Sequence, residues 1–273
     1  MKHRVAVLQM LSSQHLDTNM KRVDAMIREA ATRGVEAVFL PENFGALGAV
    51  RPRDIGESPV LRELMAVLAR DTGLWIFAGT LPSSIRPDGT AVPVPRVRAA
   101  SFVYDPAGVE VARYDKIHMF DVDVNDSHRH YQESETFEPG SDVVVVDTTI
   151  GRVGLSVCYD IRFPELYRRL FDMGAEVITI PSAFTRPTGE AHFEVLVRAR
   201  AIENFSYVVA ACQGGSHDSG RETFGHSMIV DPWGDLICRT GEGEDILVAE
   251  LDLARVHEFR RAMPVGKQRR LVP

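Results

Sequence analysis

The sequence predicts an α/β fold in four layers, α-β-β-α, because a β-α-β-α-β order occurs twice along its 273 residues and the two occurrences echo each other. Strand-like apolar runs at 5–10, 37–40 and 74–79 are separated by helical patterns, and runs at 153–158, 177–180 and 207–212 repeat that order. Arg4-Val5-Ala6-Val7-Leu8-Gln9-Met10 aligns with Arg152-Val153-Gly154-Leu155-Ser156-Val157-Cys158. Gly34-Val35-Glu36-Ala37-Val38-Phe39-Leu40-Pro41 aligns with Gly174-Ala175-Glu176-Val177-Ile178-Thr179-Ile180-Pro181. A sheet covered by helices on one face leaves the other bare, so two such halves are expected to pack sheet against sheet. A single domain over residues 1–273 follows.

Each element has its own signal. The helix after the first strand places Met20, Val23, Met26, Ile27, Ala30 and Ala31 on one face, the spacing of an amphipathic helix. In the second half, helices are expected near 164–173 and 191–204. Residues 99–104 and 109–115 flank the turn Asp105-Pro106-Ala107-Gly108 and read as a hairpin. Residues 227–230, the turn Asp231-Pro232-Trp233-Gly234, 236–239 and 246–251 read as another. The segment 117–140 has no clean periodicity, and a stretch of that length in a compact domain is expected to be a functional loop.

Composition narrows the partners. Lys and Arg total 31 against 38 Asp and Glu, a net charge of -7, the wrong sign for a nucleic-acid groove or an anionic membrane surface. Met1-Lys2-His3-Arg4 precedes a short apolar run, but Gln9 interrupts it and an amphipathic helix follows, so a signal peptide is not expected. Three cysteines make no disulfide framework, which points to a reducing compartment, the cytoplasm. A small-molecule partner is the expectation.

Ligands of α/β sheets sit beyond the carboxyl ends of strands, and three reactive residues fall there: Glu42, Lys116 and Cys158. Each has a plain structural alternative, since most cysteines are small buried hydrophobes and isolated Glu and Lys residues usually face solvent. Together they form a chemistry. A thiol is only slightly ionised at neutral pH and needs a base or a cation beside it; Glu42 can take its proton and Lys116 can stabilise the thiolate and then an oxyanion. A Cys–His arrangement stays open, with His118, His192 and His226 as candidates that also read as loop or hydrogen-bonding residues. Asp121-Val122-Asp123-Val124-Asn125 starts like a calcium loop, but Asp126 stands where Gly is needed and Gln132 where Glu is needed. His128-Arg129-His130 lacks thiolates or an i, i+4 pair, and phosphate-cradling motifs are absent, so neither a metal nor a cofactor is expected.

Phe39-Leu40-Pro41-Glu42, Tyr114-Asp115-Lys116-Ile117-His118 and Val157-Cys158-Tyr159-Asp160-Ile161-Arg162-Phe163-Pro164-Glu165 resemble, in that order, the three signatures of the nitrilase (carbon-nitrogen hydrolase) superfamily. The likeness continues through Pro181-Ser182-Ala183-Phe184-Thr185 and Gly225-His226-Ser227-Met228. It implies a nitrilase-like sandwich, a homodimer or larger homo-oligomer, and a Glu-Lys-Cys triad on Glu42, Lys116 and Cys158. It implies a fourth catalytic residue, placed on Glu133, with Glu135 and Glu138 close by. Within the superfamily the chain is similar to deaminated glutathione amidases and ω-amidases, which implies hydrolysis of a linear amide through a cysteine thioester. Deaminated glutathione, giving 2-oxoglutarate and cysteinylglycine, is the leading substrate; 2-oxoglutaramate, 2-oxosuccinamate, another aliphatic amide or a nitrile are alternatives, and an inactive scaffold is the alternative of another class. In that frame the main-chain N–H of Tyr159 joins Lys116 as oxyanion donor, and Arg162 is expected to bind a 2-oxo acid carboxylate through its planar fork. A salt bridge from Arg162 to Asp160 or Glu165 is the structural alternative. Phe184 and Thr185 complete the expected pocket.

Overall fold

In the computed structural model, which describes residues 2–48, 51–126 and 128–271, strand β1 (Lys2–Gln9) is followed by α1 (Leu16–Thr32), β2 (Ala37–Phe39), α2 (Pro52–Glu57), α3 (Val60–Thr72), β3 (Trp75–Ser83), β4 (Arg98–Tyr104) and β5 (Glu110–Asp115). Met1 and both ends of the 1–273 span lie outside the described residues. The short strands β6 (Asp121–Asp123) and β7 (His130–Gln132) and helix α4 (Glu133–Thr136) fill the segment that has no periodicity. The second half contains β8 (Val145–Thr148), β9 (Gly151–Leu155), α5 (Pro164–Asp172), β10 (Val177–Thr179), α6 (Arg186–Thr188) and α7 (Glu194–Asn204). It continues with β11 (Tyr207–Ala210), β12 (Gly214–Ser216), β13 (Glu222–Phe224), β14 (Met228–Val230), β15 (Leu236–Arg239), β16 (Asp245–Asp252) and α8 (Leu253–Ala262).

Two six-stranded sheets result, ordered β16-β1-β2-β3-β4-β5 and β15-β14-β11-β10-β9-β8. In each, three strands run parallel, β1-β2-β3 and β9-β10-β11, with antiparallel neighbours on both sides. The inner strands are buried on both faces, which is why they read as continuous apolar runs. Ala6, Leu8, Val38 and Ile76 pack under Val23, Met26 and Ile27 of α1 and Leu61, Met65 and Leu68 of α3. Val5, Val7, Phe39 and Phe77 share a core with Val153, Leu155, Val177 and Val209 of the other sheet, and that core continues to Leu166 and Leu170 of α5 and Val197 of α7. The layers are therefore α-β-β-α, and no helix among the described residues is long and apolar enough to cross a membrane.

The structure departs from the sequence reading at 246–251. Strand β16 does not extend the β14–β15 hairpin; it crosses to the first sheet and pairs antiparallel with β1, with Val5 opposite Ala249. An edge strand must satisfy its free N–H and C=O groups, and β1 gains from β16 the neighbour that β9 gains from β8. Buried Gln9 reinforces the crossing: its Nε2 donates to the carbonyls of Gly241 (2.7 Å) and Gly243 (2.6 Å), and its Oε1 accepts from Ser227 and Thr240.

A close backbone approach sets up the site. Gly79 in β3 has φ +23°, and a Cβ there would stand 1.8 Å from the carbonyl oxygen of Pro41, the residue before Glu42. Gly34 also has positive φ but faces open space. Gly79→Ala is therefore expected to destabilise the protein by about 3 kcal/mol, the high end for overpacking, against about 1 kcal/mol for Gly34→Ala. Urea unfolding of both variants checks this, and equal losses would remove Gly79 as the seat of the Pro41–Glu42 turn.

Candidate active site

Glu42 lies one residue beyond Pro41 at the end of β2 and is 4% exposed. Its main-chain carbonyl accepts from Gln213 Nε2 (3.0 Å), and the next residue, Asn43, adopts φ 55° with its N–H donated to Thr80 Oγ1 (2.9 Å). Lys116 directly follows β5. Its N–H donates to Ala99 O and its carbonyl accepts from Gly140 N–H, so the backbone is held from both sides while the side chain turns inward, 1% exposed.

The Lys116 ammonium donates to Glu42 Oε1 at 2.9 Å and to Glu133 Oε1 and Oε2 at 2.8 Å each. Glu133 opens α4, and its Oε2 also accepts the Phe120 N–H at 2.7 Å. Of its neighbours, Glu135 is exposed, and Glu138 is taken by Arg86 and Arg98. Two carboxylates thus face one ammonium. Burial opposes the Lys116 charge, but Glu133, Glu42 and Cys158 carry its pKa well above the ordinary lysine value. Burial pushes Glu133 up while Lys116 holds it down.

Cys158 departs from the expected strand end at 153–158. Strand β9 stops at Leu155, and Cys158 begins a 3-10 turn, Cys158–Arg162. Its φ of 46° is rare for a residue with a side chain and costs of order 1–3 kcal/mol. Two anchors hold it there. The Cys158 N–H donates to Pro181 O at 2.9 Å. Fully buried Asp160 accepts from Val157 N–H (2.9 Å), Tyr114 Oη (2.7 Å) and His118 N–H (3.0 Å). His118 Nδ1 lies 2.7 Å from Asp160 Oδ1, so that nitrogen carries the proton, since a carboxylate only accepts. One carboxylate therefore ties the residues two before and two after Lys116 to the residue before Cys158. Tyr159 is the second residue of the turn, where an N–H has no partner within the turn.

Burial pushes the Cys158 thiol well above the ordinary range, and Glu42 adds to this; Lys116 and the Ala183 N–H oppose it. The resting thiol is neutral and needs a proton acceptor. The other two cysteines differ: Cys212 is buried and its thiol is also raised, first by burial, while Cys238 is partly exposed on β15.

Glu42, Lys116, Glu133 and Cys158 line one cavity of ≈ 280 Å³, together with Phe120, Tyr131, Tyr159, Phe184, Thr185 and Arg221. The structure does not bring Arg162 there. Its guanidinium lies over the Tyr159 and Phe184 rings, 5.8 and 5.7 Å from their centroids, on the far side of the aromatic wall, and contacts His192 at 3.3 Å. Neither Asp160, which is filled by other donors, nor Glu165 explains its position. Among the described residues the cavity's guanidinium is Arg221, which no motif in the sequence flagged. The histidines do not form a Cys–His pair: His118 is committed to Asp160, His192 to Arg162, and His226 Nδ1 to Phe224 O at 2.8 Å. The histidine that reaches the cavity is His130, whose Nδ1 is 2.8 Å from Asp123 at the exposed rim.

Comparison with known proteins identifies relatives of this chain. The chain is 39% identical over 275 residues to the deaminated glutathione amidase of Yersinia enterocolitica, covering 98% of this chain and 93% of that protein. It is 34% identical to omega-amidase NIT2-A of Xenopus laevis, covering 98% and 95%. It superposes on the crystal structure of Saccharomyces cerevisiae Nit3, a member of branch 10 of the nitrilase superfamily, with a TM-score of 0.86 at 31% identity over 99% and 97% of the two chains. The carbon-nitrogen hydrolase family profile matches residues 4–261; the chain belongs to the carbon-nitrogen hydrolase family.

Proposed function

We propose that the protein is an amidase that cleaves deaminated glutathione to 2-oxoglutarate and cysteinylglycine through a thioester on Cys158. The observation that carries this reading is the asymmetry of the Lys116 cluster. Glu133 spends both oxygens on Lys116 and one also on Phe120 N–H, whereas Glu42 meets Lys116 through Oε1 and also reaches the Cys158 thiol. Glu42 is the base; Glu133 orients Lys116.

In the first half-reaction Glu42 takes the Sγ proton as sulfur bonds to the amide carbon. The carbonyl electron pair moves to oxygen, where Lys116 Nζ and the Tyr159 N–H hold the charge. The C–N bond then breaks, and the leaving nitrogen takes the proton from Glu42. In the second half-reaction Glu42 takes a proton from water, the hydroxide adds to the thioester, and the C–S bond breaks as the proton returns to sulfur. The acid leaves and the neutral Cys158 thiol is restored.

The similarity to Xenopus omega-amidase supports a second substrate, 2-oxoglutaramate, which shares the same acyl half. A panel of deaminated glutathione, 2-oxoglutaramate, glutamine and a simple nitrile, read by mass spectrometry, separates these readings. Fastest cleavage of deaminated glutathione supports the first; no turnover by folded wild type would leave the scaffold alternative. Cys158→Ala is expected to be inactive and Glu42→Gln to lose about 10²–10⁴-fold in kcat. Activity that survives Glu42→Gln and is lost in His118→Ala would overturn the assignment of the base.

The raised Cys158 thiol gives a pH prediction with a definite sign. A thiol whose pKa lies above its ordinary value gains thiolate as pH rises through the alkaline range. In Glu42→Gln, iodoacetamide alkylation of Cys158 should therefore climb steadily from about pH 7 to pH 10. Glu42 itself raises the thiol, so its loss in the variant lowers that pKa. A wild type that still reacts faster at neutral pH supports Glu42 taking the proton as sulfur attacks, and a wild type equal to or slower than the variant refutes that role.

Self-association belongs to the same reading. Val195 and Ile202 on α7 are exposed at 68% and 47%, and Trp233 and Ile237 at 51% and 40%; in this reading they are apolar surface covered on assembly. Sedimentation velocity is expected to show a homodimer or larger assembly; a monomer at micromolar concentration would refute it.

A further inference from the structure

The chemistry above accounts for Lys116, Glu42, Glu133 and Cys158 but leaves one charged group in the cavity without a task. Arg221 belongs to the turn between β12 and β13, and that hairpin is pinned beside the nucleophile. Phe224 N–H donates to Phe184 O at 2.9 Å, and Thr185 and Thr223 form an antiparallel bridge. Buried His217 is held at both ring nitrogens, by Ser12 O (2.8 Å) and Thr223 Oγ1 (2.7 Å). Arg221 Nη2 donates to Ala183 O at 2.7 Å, and the guanidinium carbon lies 5.7 Å from the Tyr131 ring centroid. Its Nε is buried with no hydrogen-bond partner among the described residues.

Two features make this a ligand-facing arrangement. The guanidinium lines the cavity wall and is anchored there through a neutral carbonyl; among the described residues no carboxylate is paired with it, so its charge is open to an anionic substrate. The charges also require it. Glu42, Glu133, Lys116 and Arg221 are the Asp, Glu, Lys and Arg residues among the cavity's lining, and their formal charges cancel. Lys116 is already shared between two carboxylates, so without Arg221 an anionic substrate would enter a cavity of net negative charge.

Position selects the class of anion. The Ala183 N–H faces the Cys158 sulfur and the Ala183 carbonyl holds Arg221. The nucleophile and the cation therefore border the same cavity on either side of one residue. We propose that Arg221 is the specificity residue that selects amides whose acyl half ends in a carboxylate, held by its planar fork against the Tyr131 ring. This deepens the amidase reading and rests on it. It also explains how one site serves both candidate substrates, because deaminated glutathione and 2-oxoglutaramate carry the same carboxylate on the acyl side and differ only in the leaving group.

The test compares wild type, Arg221→Met, Arg221→Lys and Arg162→Met on glutaramate and its neutral methyl ester, reading the ratio of kcat/KM for acid over ester. Arg221→Met should lower that ratio about 10- to 150-fold, the range for a hydrogen bond to a charged group. Arg221→Lys should recover part of it, since it restores charge without the fork. Arg162→Met should keep the wild-type ratio. A merely structural role for Arg221 would lower both rates together and leave the ratio in place, and that outcome would overturn the proposal. So would a ratio that falls in Arg162→Met instead. Calorimetric binding of 5-oxohexanoate, a methyl-ketone isostere that needs no turnover, separates the two levels. Binding that weakens by a similar factor in Arg221→Met supports the carboxylate site even if no amide is cleaved, in which case only the amidase reading fails. Binding that is equal in wild type and Arg221→Met overturns the proposal.

Discussion

The Lys116 ammonium, buried between Glu42 and Glu133, is the interaction on which the rest of the site depends. Removing two carboxylates and an ammonium from water costs several kcal/mol per ion, and only close, well-directed pairing offsets it. The distances of 2.8–2.9 Å meet that condition. Removing Lys116 would leave two buried carboxylates facing each other, so the cation is structural before it is catalytic. Its pKa, held well above the ordinary value by Glu133, Glu42 and Cys158 against the effect of burial, also fixes its part in the chemistry. A permanently protonated lysine cannot be the base; it can only donate hydrogen bonds and oppose negative charge. In the proposed mechanism, proton transfer is left to Glu42, the carboxylate that meets Lys116 through one oxygen and also reaches the thiol.

The duplicated architecture explains why these groups meet. Glu42 and Lys116 leave the first sheet just beyond β2 and β5, and Cys158 leaves the second just beyond β9. Packing sheet on sheet brings these ends to one rim, and Glu133 is delivered from the segment between the halves. Face-to-face packing alone would not fix the distances. Asp160 does so locally, joining Tyr114 and His118 on either side of Lys116 to Val157 beside the nucleophile. Gln9 and β16 do so globally, tying the end of the second half along the first strand of the first. The ion cluster itself lies within the first half and the segment after it, so Cys158 of the second half is held against it by these ties and by the bond from Gln213 to the Glu42 carbonyl.

What was legible in the sequence, and what was not, follows from the kind of interaction involved. Strands such as β2 and β10 are buried on both faces and announce themselves as apolar runs, and Glu42, Lys116 and Cys158 stand in motifs with little freedom of position, whereas Glu133 had Glu135 and Glu138 as neighbours in a segment with no periodicity to choose among them. The partner of β16 was not legible, because alternation along 246–251 gives one strand its faces but not the edge it joins. Arg162 and Arg221 show the same limit for a side chain. Nearness to Cys158 in sequence favoured Arg162, yet the 3-10 turn points it behind Tyr159 and Phe184. Arg221, sixty-three positions on, arrives through a hairpin whose docking depends on His217, Thr223 and the Phe184 carbonyl. Asp160 stood within a recognised motif, but its partners come from another sheet, so it could be seen only as a possible salt-bridge acceptor.

The strained, neutral thiol gives the arrangement its selectivity in time. A thiolate held permanently beside a lysine would react with any oxidant or electrophile reaching the cavity. Here burial and Glu42 both raise the Cys158 thiol, and in the mechanism we propose the proton leaves only when Glu42 accepts it as an electrophilic carbon comes within bonding distance. The cost of making the nucleophile is moved from the resting state into the transition state, where Lys116 and the Tyr159 N–H can oppose the charge that appears on oxygen. The φ of 46° at Cys158 belongs to the same proposal: the residue lines the cavity, and the N–H that follows it has no partner within the 3-10 turn. On that proposal, strain at Cys158, the carboxylate lock of Asp160 and the shared charge on Lys116 are three parts of one device, which holds the thiol neutral until an electrophilic carbon reaches it.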